Sequence, residues 1–151
     1  MLASGQTLHQ RYYIHRLLGQ GGMGAVYLAQ DLQQGGGWVA VKEMIPDPNA
    51  NLHALAQARM QFQREAQVLM GLRHANLPQV YETFSEGGNE YLVMQYVEGR
   101  NLLEIAAADW GQGRSLGESR VLGWAMQIID ALEYLHGQRP YPVLHRDVKP
   151  Q

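Results

Sequence analysis

The sequence contains no cysteine, which excludes disulfides and thiolate metal sites and fits a reducing compartment. Long apolar runs are also missing, and none approaches the roughly 20 residues that a membrane-spanning helix needs. Charge of one sign is scarce. With a formal net charge of -2 and no run of lysine or arginine, the chain offers no positive field for nucleic acid or an anionic membrane. The start, Met1 to Gln6, lacks both a basic n-region and an apolar h-region, so no secretory signal is expected and a cytoplasmic location is. There is no internal repeat, and low complexity is confined to Gln33-Gln34-Gly35-Gly36-Gly37. What is present is 46 % hydrophobic residues in 151, enough to bury one sizeable core.

The pattern changes character midway. Strand-like runs at 12–18, 25–31 and 38–45, joined by short glycine-rich connections, predict an antiparallel meander that Pro46 and Pro48 terminate. From 55 to 72 the spacing turns helical, with Phe62, Glu65, Leu69 and Leu72 expected on one face. Two more β-rich runs, 80–84 and 91–97, flank the hairpin signal at 85–89. Beyond Gly99 the pattern is helical, at 102–108 and at 118–136. The second of these carries an apolar stripe of Val121, Trp124, Ala125, Ile128, Leu132 and Leu135. A strand-rich first half and a helical second half predict an α+β architecture of two lobes joined at 95–99.

Several residues carry candidate chemistry. Glycines at 19, 21, 22 and 24 in Gly19-Gln20-Gly21-Gly22-Met23-Gly24-Ala25-Val26 allow backbone N–H groups to approach phosphate oxygens, because no Cβ intervenes. A dinucleotide-binding turn would continue into a helix and place an acid about 20 residues on. Here a strand follows and Lys42 stands at the acid's position, so that reading loses. Alternation along Val39-Ala40-Val41-Lys42 puts Lys42 on the face of Trp38 and Ala40. Glu65, on a helix face otherwise apolar, wants a cation, and Lys42 is the natural candidate. The chain then closes with His145-Arg146-Asp147-Val148-Lys149-Pro150.

In this order, these motifs resemble the Ser/Thr protein kinase family, in the style of its bacterial members, over residues 12–151. The resemblance implies a kinase-like two-lobe fold: a five-stranded antiparallel sheet with one main helix at 12–94, a hinge at 95–99, and the start of a helical lobe at 100–151. It also implies ATP as the nucleotide, contacted by Leu18, Gly19, Gln20, Gly21, Gly22, Met23, Gly24, Ala25, Val26 and Ala40. Lys42 would bind the α- and β-phosphates and be held by Glu65. Met94 would be the gatekeeper, with the Gln95 carbonyl and the Val97 N–H meeting the adenine edge. Asp147 would be the base toward a protein hydroxyl, Lys149 would touch the transferred phosphoryl group, and Arg146 would pair with a phosphorylated activation segment. Lys149-Pro150 favours serine and threonine over tyrosine.

The resemblance covers about half of the domain the family uses. Its magnesium-binding asparagine and aspartate are expected beyond Gln151, so no metal ligand is assigned within the sequence. The chain alone is accordingly expected to be inactive in transfer. The alternative is a catalytically inactive nucleotide-binding or protein-interaction module. Protein substrates and self-association through exposed apolar surface are expected, and nucleic acid is not.

Overall fold

The computed structural model describes residues 2–21, 24–33, 35–45 and 49–150. Nine elements follow one another: β1 (Thr7–Leu8), β2 (Tyr12–Gly21), β3 (Gly24–Asp31), β4 (Gly37–Met44), α1 (Leu52–Gly71), β5 (Val80–Glu86), β6 (Asn89–Gln95), α2 (Leu102–Trp110) and α3 (Glu118–His136). They form two compact units. The chain through Arg73 together with Pro78–Tyr96 makes the first, and His74–Leu77 with the chain from Val97 onward makes the second.

The first unit is one antiparallel sheet of order β1-β2-β3-β4-β6-β5, with α1 against it. The expected five strands are therefore six, because β1 is two residues long, too short for any periodicity to show. Antiparallel pairing fixes the faces. One face stacks Tyr12, Ile14, Tyr27, Ala29, Val39, Val41, Tyr91 and Val93 into a core with Leu8 and Ala25. The sheet curls so far that its opposite edges meet through side chains. Arg11 donates to both Asp31 carboxylate oxygens (2.8 and 2.6 Å) and to Glu82 on β5 at 3.1 Å. Tyr12 donates its hydroxyl to Glu82, the His9 N–H donates to Glu86 at 2.6 Å, and Phe84 stacks with His9 and Tyr12.

On the other face Val80, Leu92 and Ala66 form a second cluster, with Phe62, Met70 and Met94 packed against it. The helix starts at Leu52, three residues before the apolar spacing begins, because the Asn51 side chain accepts the Ala54 N–H at 2.8 Å as an N-cap. The β5–β6 turn is tighter than the expected five-residue loop: Gly87 and Gly88, at φ 60° and 86°, make a two-residue hairpin turn.

In the second unit, α2 begins with a reciprocal capping box between Asn101 and Glu104. Helix α3 has no side-chain N-cap and buries only Ala131 and Leu135. His74 reaches Asp130 of α3 with its Nε2 at 3.3 Å and stacks on Tyr134, and the Asn76 amide donates to the same carboxylate at 3.0 Å. These contacts fasten 74–77 to the helix. The tail is fastened by Val143 N–H to the Leu135 carbonyl and by Leu103 N–H to the Pro150 carbonyl, both 3.0 Å.

Candidate active site

Within the first unit, cross-strand register builds a row from Val26 through Lys42 to Leu92, and beside it a row from Leu28 through Ala40 to Met94. Lys42, Val26 and Met94 are half-buried and Ala40 is buried. Lys42 therefore stands on an apolar face shared with Ala40, as alternation predicts. Leu18 lies in a β-bulge of β2, between the pairs Leu17–Tyr27 and Gly19–Val26, where the added residue breaks the alternation; it is half-buried.

The glycines of the β2–β3 turn serve two different purposes. Gly24, at φ +141°, has space for nothing more: an added Cβ would lie 2.0 Å from the Glu43 carbonyl oxygen. Gly19 and Gly21 have negative or extended backbones and, among the described residues, nothing within 4 Å of an added Cβ. Packing does not require them, so the open space over their backbone is what their small size preserves. That is the fit expected of a turn against which a phosphate chain rests. Gly22 and Met23, also expected to contact nucleotide, lie outside the described residues. Gln20 and Ala25 pair with each other, and Ala25 is buried in the opposite-face core, so only its backbone is available to a ligand.

Lys42 and Glu65 are not brought together. Glu65 is exposed and accepts a hydrogen bond from the Gln61 amide at 2.9 Å. Among the described residues no carboxylate lies within 4 Å of the Lys42 ammonium. The expected ion pair is thus absent from this conformation, and the reason is helix rotation. The seated stripe is Phe62, Ala66 and Met70, whereas the sequence pattern suggested Phe62, Glu65 and Leu69; the two differ by one residue, about 100° around the axis. Leu69 is consequently 36 % exposed.

Besides Asp31 and Glu82, two buried acids that the sequence reading passed over hold this unit together. Glu43, 1 % exposed, accepts from the Tyr27 hydroxyl (3.0 Å), the Asn89 amide (3.0 Å) and the Tyr91 hydroxyl (3.3 Å). Burial, with the Glu43 carboxylate nearby, pushes the Tyr27 and Tyr91 phenols up. Tyr12 is pushed up as well, by burial first and Glu82 second. The signal for Glu43 was available, since alternation that puts Lys42 with Ala40 puts Glu43 with Val39 and Val41. The other acid, Glu90, binds Arg59 of α1 at 2.8 Å.

Gln95 closes β6, with its N–H donated to the Gln79 carbonyl at 2.7 Å. Val97 opens the second unit, 63 % exposed, and its N–H makes no backbone hydrogen bond among the described residues. In the second unit the tail forms a local constellation. The Lys149 ammonium sits 2.9 Å from an Asp147 carboxylate oxygen, both side chains about half or more exposed (49 % and 66 %). The Asp147 N–H reaches the His145 Nδ1 at 3.4 Å, and Arg146 between them is in the left-handed region at φ 62°. Asp147 and Lys149 line one wall of an open groove of about 560 Å³ whose other walls are Leu102, Trp124, Ile128 and Leu132. Among the described residues no three histidine or acidic side chains gather closely enough to hold a metal ion.

Comparison with known proteins places this arrangement. Residues 12–151 match the model of the protein kinase domain. A serine/threonine-protein kinase C of Synechocystis is 33 % identical over 96 % of this chain and 26 % of its own length. Serine/threonine-protein kinase PknD of Chlamydia trachomatis is 36 % identical over 93 % of this chain and 15 % of its own length. Among solved structures, the PknI kinase domain of Mycobacterium tuberculosis superposes with a TM-score of 0.78 at 34 % identity, over 99 % of this chain and 55 % of that one. The chain spans about a quarter or less of these curated relatives and about half of the solved domain. With residues 12–151 matching that model, the chain belongs to the protein kinase domain family.

Proposed function

We propose that this chain supplies the nucleotide-holding and hydroxyl-activating side chains of an ATP-dependent kinase that transfers the γ-phosphoryl group to serine or threonine of a protein. The observation that carries the reading is the face of the first unit. Val26, Ala40 and Met94 offer an apolar surface for a flat base, Lys42 stands among them as the cation, and the turn at Gly19 and Gly21 is open above its backbone. A lysine there offsets phosphate charge where apolar neighbours keep the local dielectric low. Val97 is exposed, and its N–H, which makes no backbone hydrogen bond among the described residues, is a donor suited to a base edge.

Asp147 is the proton acceptor toward the substrate hydroxyl, and Lys149 lies 2.9 Å from one of its carboxylate oxygens. Magnesium, when bound, would supply charge neutralisation at the phosphates, and no ligand for it is assigned among the described residues. The role assigned to these residues is nucleotide binding and hydroxyl activation.

Two measurements test the reading. Titration with a fluorescent ATP analogue should show binding, weakened about 10- to 100-fold by Lys42→Met if one charge-assisted contact is lost. Unchanged affinity would refute the assignment of Lys42. In a longer protein that includes the metal ligands, radiolabel should pass from ATP to serine or threonine, and Asp147→Asn should cut turnover by about 10²- to 10⁴-fold with nucleotide affinity retained. Robust transfer by residues 1–151 alone, or phosphotyrosine as the main product, would overturn the roles given to the absent metal ligands and to Lys149.

A further inference from the structure

Glu43 follows Lys42 directly, and the function proposed above leaves it without a part. Alternation turns the two side chains to opposite faces of β4, Lys42 onto the face of Ala40 and Glu43 into the core beside Val39 and Val41. A carboxylate is a costly occupant of that core. It is 1 % exposed, and among the described residues it has three neutral donors and no cation within 4 Å. An apolar side chain of similar size would fill the space with less desolvation, so what the carboxylate adds is its capacity to accept from several elements at once.

The three bonds divide unequally between its two oxygens. Oε1 accepts from the Asn89 amide at 3.0 Å and the Tyr91 hydroxyl at 3.3 Å, both on β6, whereas Oε2 accepts from the Tyr27 hydroxyl of β3 at 3.0 Å. The Tyr27 oxygen in turn accepts the Leu2 N–H at 3.1 Å, which leaves its own hydrogen for Glu43. Register fixes where the Tyr27–Glu43 bond runs. Val26 stands opposite Lys42, Tyr27 opposite Val41 and Ala25 opposite Glu43, so the bond is a diagonal contact that crosses directly beneath the Val26–Lys42 rung. The Glu43 carbonyl is also what Gly24 abuts at the root of the glycine turn. Turn and lysine are thus both hung from one anchored residue.

We propose that Glu43 is a positioning residue for nucleotide capture, which through its Oε2 bond to Tyr27 ties β3 to β4 beneath Val26 and Lys42 and so holds the glycine turn and the lysine at a fixed spacing. The inference rests on the reading of that face as the nucleotide site, and it adds the group that sets the site's geometry from the far side of the sheet. The carboxylate touches no ligand. It acts through the strands it joins, as buried polar networks do when they specify one arrangement of a core.

The unequal use of the oxygens makes the test specific. Glu43→Gln, its amide oxygen kept toward Asn89 and Tyr91, turns an NH₂ to Tyr27 and loses that bond alone, while Tyr27→Phe loses the same bond from the other side and keeps the ring. In the 151-residue chain each should weaken binding of the fluorescent ATP analogue roughly three- to tenfold, and the double variant should bind no more weakly than either. Ile14→Val, which trims the same core at a comparable loss of stability, should leave affinity unchanged. Without nucleotide, amide hydrogen exchange at Gly24, Ala25 and Val26 should quicken relative to β6 in Glu43→Gln and Tyr27→Phe but not in Ile14→Val. Should Glu43→Gln lose its folded circular dichroism spectrum, Tyr27→Phe carries both readouts. Unchanged affinity or unchanged relative exchange in a folded variant, additive losses in the double variant, or an equal loss in Ile14→Val overturns the proposal. The exchange measurement needs no nucleotide, so failure of the tie is separable from failure of the nucleotide reading, which the Lys42→Met titration decides independently.

Discussion

The two units solve the problem of burial differently. Of the nineteen buried hydrophobic residues described, sixteen lie in the first unit and three, Ala106, Ala131 and Leu135, in the second. The sheet achieves this by curling until its own edges can be tied by Arg11, Tyr12 and His9 to Glu82 and Glu86, so one face becomes an interior. A helix cannot fold back on itself in that way. Helix α3 leaves Leu122, Met126 and Ile129 exposed at 56, 65 and 55 %, although its sequence has the apolar spacing of a buried element. A β layer can thus be nearly self-sufficient, while a helix layer depends on what is laid against it.

That contrast can be broken or sharpened by experiment. The largest effect should come from the first unit's interior: Ile14→Ala, at a site 1 % exposed, should cost about 2–5 kcal/mol, and Ile128→Ala, at 37 % exposure, well under half of that. Equal losses in urea unfolding would erase the distinction. Next comes Glu43→Ala, which leaves the Tyr27 and Tyr91 hydroxyls and the Asn89 amide without their acceptor and should cost about 1–3 kcal/mol by the same measurement.

Alkaline pH should weaken the first unit in the same region. The phenols of Tyr12, Tyr27 and Tyr91 are all raised by burial, so above about pH 10 the unfolded chain releases protons that the folded chain retains. Their contribution is complete below the unfolded pKa and declines as pH rises toward the folded ones. Thermal melts from pH 8 to 11 should show this, and a flat melting temperature would contradict it. The second unit should respond through association instead. We expect the chain to self-associate on size-exclusion chromatography, and Leu122→Glu with Met126→Glu to shift it toward monomer without lowering its melting temperature. A clean parent monomer that binds no hydrophobic dye would argue that the exposed stripe is harmless. The smallest effect belongs to Asp109, whose carboxyl is held low by the Arg114 hydrogen bond and then by Arg114 and Arg120 charge. Asp109→Asn should lower stability slightly, and the difference should vanish in high salt.

The sequence was most legible where a local rule decides. Strand alternation placed Lys42 correctly beside Ala40, the glycine and proline signals bounded β3 and β4 to within a residue or two, and helical spacing bounded α3. It was least legible where several elements compete for one surface. The seating of α1 brings Arg59 to Glu90 across 31 positions of sequence, a contact that no helical pattern encodes. Strand β1 escaped because pairing with β2, through Thr7–Tyr13 and Leu8–Tyr12, creates it from two residues. At the site, Asp147 and Lys149 could be named from their motif, but their contact with each other could not be foreseen from it.

The division of labour among the turn glycines makes fold and function separable under mutation. Gly19 and Gly21 have room for a methyl group, so alanine there should pass a screen for folded protein and fail one for nucleotide capture. Gly24 is the reverse case, because its positive φ and the Glu43 carbonyl 2.0 Å from a would-be Cβ make any side chain a wedge between β3 and β4. A saturation library sorted first for expression and then for ATP binding should therefore lose Gly24 variants in the first round and Gly19 and Gly21 variants only in the second. In a single strand-and-turn, the filter that acts on the chain as a polymer and the filter that acts on it as a receptor fall on different residues.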